Sequence, residues 1–298
     1  MVRSKDSFTL ITLNTHALVQ PDTEGNINTL AEAFCSEAVS IAALQEVNQP
    51  HDAQPVSAED LRATGFVPAG DDTVREGNYA LLFVRRLKTL GVPVYWTWVM
   101  THRSYNSYNE GVALISRFPI DDGMAAYVSK NRDYENWRTR KALGIQMVIG
   151  GMPLWFFSVH LGWWGDEDDL KDQLAALDGV LAPLREQFPV YVAGDFNCPA
   201  HVRGEGYDMM TKGKRWHDCY ARAEERDEGV TVRHQIDGWR DKQFESLRID
   251  YVFASRKGRT LLCRSIFNDA FYPIISDHFG VLVREALPPE DVQCIMEE

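Results

Sequence analysis

Short apolar runs of strand-like composition, each broken at one end by a carboxylate, an amide or an imidazole, recur along this chain and limit its folds more than any other feature. The run PVYVA gives way to Gly194, Asp195 and Asn197, FTLITL ends in Asn14, IAALQ ends in Glu46, and PLWFFSV ends in His160. Others carry the polar group at their start: GVALIS follows Glu110, DYVFA opens with Asp250, and FGVLV follows Asp277 and His278. Brief runs rich in β-branched and aromatic residues, bounded by turn residues, read as strands. Buried strands tolerate charged residues only where these are paired or bind a metal. The pattern therefore predicts strand ends that converge on one pocket.

Helical spacing appears at Ile27, Leu30, Ala31, Phe34 and Ala38, and again at Leu170, Leu174, Leu177, Leu181 and Leu184, with Pro183 expected to bend or end the second helix. The acidic group Asp166 to Asp169 precedes that helix and suits its positive N-terminal end better than a metal site. Strand-rich stretches with peripheral helices predict two packed sheets covered by helices. No repeat or linker divides the chain, so residues 1–298 are expected to form a single domain, with 287–298 a solvated tail.

The segments TLNTH, LQEV, EGVALISR, SVHL, GDFN, RIDYVF and SDHFG follow one another in that order over nearly the whole chain. In these residues the chain resembles the endonuclease/exonuclease/phosphatase superfamily. The resemblance implies an α+β fold, a four-layer αββα sandwich of two packed, mainly antiparallel sheets. It also implies metal-dependent phosphoester hydrolysis. Such chemistry must neutralise phosphoryl oxygens and activate a water in line with the leaving group. Magnesium suits the task because it takes hard oxygen ligands and retains several waters, with manganese as an alternative. The expected ligands are Glu46, Asn14 and Asp277. Asp195 is the expected base, with Asn197, two residues on along an extended segment, orienting the water. His278 is expected to pair with Asp250, and His160 to donate to a phosphoryl oxygen while Glu110 orients it. The remaining histidines have weaker claims.

Charge narrows the substrate. Against 31 Lys and Arg stand 43 Asp and Glu, a net charge of −12, which argues against a long polyanion such as nucleic acid. No basic amphipathic or membrane-spanning segment is evident, and the N-terminus lacks an apolar signal stretch, so a cytoplasmic enzyme with no membrane partner is expected. The cysteines at 35, 198, 219, 263 and 294 show no zinc-like spacing and are expected to be reduced, with Cys198 a packing residue. Trp137, Arg140, Trp163, Trp164, Tyr108 and Trp239 lie beside the catalytic segments, as do Arg138 and Arg240. Aromatic faces stack on sugar rings and a guanidinium fork binds phosphate, so this set suits a small phosphorylated sugar. The loops YENWRTRKALG, HLGWW, RGEGYD and IDGWRD are similar to those of the bacterial subfamily that includes maltose 6'-phosphate phosphatase. The leading expectation is thus a phosphomonoesterase acting on maltose 6'-phosphate. The alternatives are an apurinic-site or deoxyribonuclease-type endonuclease and a non-catalytic binding protein on the same fold.

Overall fold

The computed structural model describes residues 7–287 except 235, 237, 238 and 240–243. Arg240 and the expected tail beyond Leu287 lie outside the described residues. The first sheet contains β1 (Ser7–Asn14), β2 (Ile41–Gln45), β3 (Gln49–Pro50), β4 (Tyr95–Ser104) and β5 (Tyr108–Ser116). The second contains β6 (Asp122–Tyr127), β7 (Lys141–Ile149), β8 (Met152–His160), β9 (Val190–Asp195) and β10 (His217–Asp218). Of the remaining strands, β11 (Glu225–Arg226), β13 (Arg259–Ile266) and β14 (Gly280–Ala286) extend the first sheet, and β12 (Asp250–Ala254) lies in the second between β9 and β10. The helices are α1 (Thr23–Ser36), α2 (Ala58–Ala63), α3 (Tyr79–Thr89), α4 (Leu170–Gln187), α5 (Gly206–Thr211) and α6 (Cys219–Arg222).

Period-two alternation builds the layers. Phe8, Leu10, Ile41 and Ala43 of the first sheet meet Ile145, Phe156, Tyr191 and Val252 of the second in the central core. The next residues along the same strands, Ile11, Leu13, Ala42 and Leu44, face outward and are covered by Leu30 and Phe34 of α1 and Phe83 and Leu87 of α3. On the far side, Leu170, Leu174, Leu177 and Leu181 of α4 cover Phe157, Val192 and Phe253. The result is the expected αββα sandwich.

Two expectations about the helices need correction. Helix α1 stops at Ser36, and Ala38 takes a left-handed φ of 50° that ends the turn. Helix α4 runs through Pro183 to Gln187, so the proline does not end it. A proline inside a helix costs about 3 kcal/mol, but each buried leucine contributes roughly 1.5–3 kcal/mol. The four leucines outweigh the break. The acidic group before α4 is structural: Asp169 caps the helix by accepting from Lys171 N at 2.9 Å, and Asp168 accepts from Asn131 N at 2.8 Å.

Strand direction assembles one edge. Most pairs are antiparallel, but β1 pairs in parallel with β2, aligning Asn14 with Gln45, and β8 pairs in parallel with β9, aligning His160 with Asp195. The carboxyl ends of these two pairs carry polar residues. Antiparallel β12 sets its first residue, Asp250, opposite Asp195, while β5 and β14 run back from the same side beside β2 and β1. Beneath this edge the sheets are tied by Gln45 Nε2, which donates to Ser158 Oγ at 3.0 Å.

Candidate active site

Asp195 is the hub of the residues gathered at that edge. Its Oδ1 accepts from Asn197 N at 2.8 Å and its Oδ2 from Asn14 Nδ2 at 3.2 Å. The same Oδ2 lies 3.6 Å from His160 Nε2 and 3.8 Å from His278 Nε2. Asn14 Nδ2 also donates to Glu46 Oε1 at 2.9 Å, so one amide joins the strand ends of both sheets. His278 Nδ1 lies 3.0 and 3.2 Å from the two Asp250 oxygens. His160 Nδ1 stands 3.9 Å from Glu110 Oε1.

Local backbone conformation aims these groups. Glu46 directly follows β2 and Asn197 lies two residues past the end of β9, with φ of 50° and 49°, a left-handed state that costs about 1–2 kcal/mol outside glycine. Asn197 is therefore not on an extended segment with Asp195, as expected. It turns back, and its side chain donates to Leu161 O at 2.9 Å while its Oδ1 accepts from Trp239 Nε1 at 3.0 Å. Gly194 lies where β8 and β9 approach so closely that a Cβ would sit 1.9 Å from Val159 O.

The electrostatics separate the titratable groups. Burial, reinforced by Asp250, pushes the Asp195 carboxyl up to about 7. Burial opposes charge on His278, but the carboxylates of Asp250 and Asp195 outweigh it and hold the imidazole well above its ordinary value. Burial, then Arg140, His102 and the charge on His278, holds His160 well below its ordinary value, in the neutral form. Burial, Glu110 and Asp277 push the Glu46 carboxyl well above the usual carboxylate range.

These groups line a cleft of ≈580 Å³ whose outer wall includes Tyr105, Trp137 and Trp163, with Arg140 among the deeper residues. Trp137 and Trp163 meet edge to face at 5.6 Å. Arg138 lies over the Trp137 ring and pairs with Asp166 at 2.9 and 3.1 Å, so its fork is already engaged. Arg140 is buried and donates from Nη1 to Trp137 O at 2.6 Å, while its Nε has no hydrogen-bond partner among the described residues.

The Endonuclease/Exonuclease/phosphatase family model matches residues 13–278. The chain belongs to that family. An endonuclease/exonuclease/phosphatase family protein from Leptotrichia buccalis C-1013-b is 27% identical, with a TM-score of 0.80 over 93% of this chain and 99% of that one. A mannosyl-6-phosphatase from Bacteroides thetaiotaomicron VPI-5482 is 17% identical, with a TM-score of 0.62 over 93% of this chain and 98% of that one. TDP2 from Caenorhabditis elegans is 13% identical, with a TM-score of 0.58 over 94% of this chain and 74% of that one. The likeness to these last two shows the fold alone. Comparison with curated protein sequences gives no match.

Family members are divalent-metal-dependent hydrolases, and the residues present fit such an ion. Burial, and then the charges of Glu110 and Asp277, raise the Glu46 carboxyl, a condition that a divalent cation would relieve. Asp195, Asp250 and His278 form a second possible donor group, with one ligand atom from each all within 4.8 Å of one another. Its imidazole Nδ1 is already committed to Asp250, which favours the Glu46 side for a hard cation.

The structure brings Glu46, Asp195, Asn197, His160, His278, Glu110, Asp277, Arg140, Trp137 and Trp163 to the cleft wall. Asn14 and Asp250 stand behind that wall, bonded to Asp195 and His278. Trp164 packs with the α4 core, Tyr108 begins β5 opposite Ser104 and Pro50, and Trp239 is buried behind Asn197. None of these three is among the described residues of the cleft wall. His16, His102, Arg103 and Glu135 are wall residues that the strand-end pattern did not single out. His102 sits within β4, so only its pairing opposite Glu110 could have revealed it.

Proposed function

We propose that this protein is a magnesium-dependent phosphomonoesterase, able to use manganese, that hydrolyses a phosphorylated sugar, with maltose 6'-phosphate the leading substrate. The observation that carries this reading is the incompletely satisfied, buried Arg140 in a small cleft that has an acidic floor and an aromatic rim. The volume falls in the range of small-molecule sites, roughly 300–1,000 Å³, rather than that of a duplex groove. A net charge of −12 disfavours a nucleic-acid substrate. That a fold relative is named a mannosyl-6-phosphatase supports sugar-phosphate chemistry on this scaffold.

In this reading Glu46 and Asp277 hold the cation, whose role when bound is to neutralise phosphoryl oxygens, and Asn14 steadies the Glu46 carboxylate from behind the wall. Arg140 grips the phosphate. Asp195, poised near neutrality and fixed by the N–H groups of Asn14 and Asn197, takes the proton from the attacking water. Protonated His278, held by Asp250, donates to the charge that develops on phosphoryl oxygens, and neutral His160 gives its single ring proton, on Nε2, to the same oxygens, with Glu110 beside its Nδ1. Trp137 and Trp163 face the sugar.

The test compares maltose 6'-phosphate with a small aryl phosphate. Trp163→Ala and Trp137→Ala should each lower kcat/KM for the sugar phosphate by about fivefold, the loss of one stacking face, and leave the aryl phosphate nearly unaffected. Arg140→Ala should impair both. Efficient, salt-sensitive cleavage of duplex DNA with no phosphate released from maltose 6'-phosphate would overturn the proposal.

A further inference from the structure

His102 is almost fully buried and stands between Glu110 and Arg140 without belonging to the strand-end set. The register of β4 against β5 shifts between Met100 and His102, an irregularity of the kind that re-aims a side chain beside a site. His102 Nε2 lies 3.4 Å from Glu110 Oε1, the same oxygen that stands 3.9 Å from His160 Nδ1. On its other side, His102 Nδ1 lies 3.4 Å from Arg140 Nη1, 3.2 Å from Thr139 O and 3.1 Å from Thr101 Oγ1.

One arrangement of protons joins Glu110 and Arg140 through the ring. Thr101 Oγ1 gives its hydrogen to Glu110 O at 3.0 Å, so it has none for the imidazole. Arg140 Nη1 spends one hydrogen on Trp137 O and has a second for His102 Nδ1. A neutral ring with its proton on Nε2 then donates to Glu110 and accepts from Arg140, while Thr139 O, itself 3.4 Å from Nη1, shares that second hydrogen. In that state Nη1 is saturated, and an incoming anion must be met by the remaining guanidinium N–H groups.

We propose that His102 is a positioning residue that fixes the Glu110 carboxylate and the Arg140 guanidinium relative to each other, and so sets both the orientation of His160 and the grip on the phosphoryl group. The proposal rests on the phosphoesterase reading. It assigns to one imidazole the alignment of two walls of the cleft, one carried by β5 and the other by the segment that enters β7.

Steady-state hydrolysis of an aryl phosphate, with inorganic phosphate as a competitive probe, tests it. His102→Ala should lower kcat by about 10–100-fold, the usual cost of losing a group that orients a reacting one, and should weaken inhibition by phosphate. His102→Gln, long enough to donate to Glu110, should recover most of kcat, whereas His102→Asn, too short to reach, should not. In an Arg140→Ala background, His102→Ala should add little further loss of phosphate inhibition, because both substitutions remove the same grip. A folded alanine variant with normal kcat and phosphate inhibition would overturn the proposal, as would losses that simply multiply with those of Arg140→Ala. Should the alanine variant fail to fold, equal rates for the glutamine and asparagine variants would overturn it. If the wild-type protein hydrolyses no phosphoester, the phosphoesterase reading falls and takes this inference with it. If the wild type is active and the variants match it, only the role of His102 falls.

Discussion

Asp195 shows how much of the site depends on single atoms. One carboxylate oxygen meets an amide and two imidazoles, and the other is held by a backbone N–H. Asp195→Asn preserves shape but removes the proton acceptor, and turnover should fall on the order of a hundredfold or more while circular dichroism stays unchanged. Near-normal turnover would place the base elsewhere. Glu46 carries a pH signature. Its folded carboxyl is raised well above the ordinary value of 4.5, so in metal-free protein its favourable contribution is complete below that value and is lost as pH climbs toward the folded value. Metal-free Glu46→Gln should therefore be more stable than wild type in denaturant melts at pH 8, with the advantage shrinking toward pH 4.5. A constant difference across that range would exclude the linkage. At this scale the sequence was legible where chemistry and position coincided, as at Asp195 and His278. Trp163 and Trp164 show where it was not: adjacent residues can point to different sides, and only tertiary packing decides that Trp164 joins the α4 core while Trp163 reaches the cleft wall.

Elements place those atoms through direction and register. The parallel pairs β1/β2 and β8/β9 put Asn14 beside Gln45 and His160 beside Asp195, and antiparallel β12 returns Asp250 to the same level. This convergence was readable because an abrupt polar ending on an apolar run is costly anywhere but at a site or in solvent. The shift in β4 and the left-handed turns at Glu46 and Asn197 carry no composition signal, because they arise from how neighbouring strands fit. Pro183 was misleading for a related reason, since local propensity lost to the burial of one helix face. Gly194→Ala tests the tightest element contact. Its methyl group would meet Val159 O at 1.9 Å, so β8 and β9 must separate. The variant should lose about 1–3 kcal/mol in chemical denaturation, as overpacked cores do, together with activity, because His160 and Asp195 end those two strands. Unchanged stability would mean that the strands can part without cost.

At the scale of the whole molecule, two sheets that bury a common core also bring acidic side chains from both into one recess. Glu46 follows a strand of the first sheet and Asp195 ends a strand of the second, and Asn14 bridges them. Repulsion of Glu46 by Glu110 and Asp277 and of Asp195 by Asp250 thus meets at the seam of the layers, in a protein whose net charge of −12 already disfavours compaction. A cation that binds this recess only in the folded state must stabilise the whole sandwich by mass action, by about 2.7 kcal/mol at a free concentration of 100 times Kd. Magnesium added to metal-free protein should raise Tm progressively with concentration, and exhaustive chelation should abolish turnover while leaving a folded protein of lower Tm. Glu46→Gln should flatten the magnesium dependence of Tm, whereas Arg140→Ala, outside the expected ligand set, should preserve it. Full activity after chelation would remove the metal from the chemistry, and an equal magnesium shift in Glu46→Gln would move the ion away from the seam.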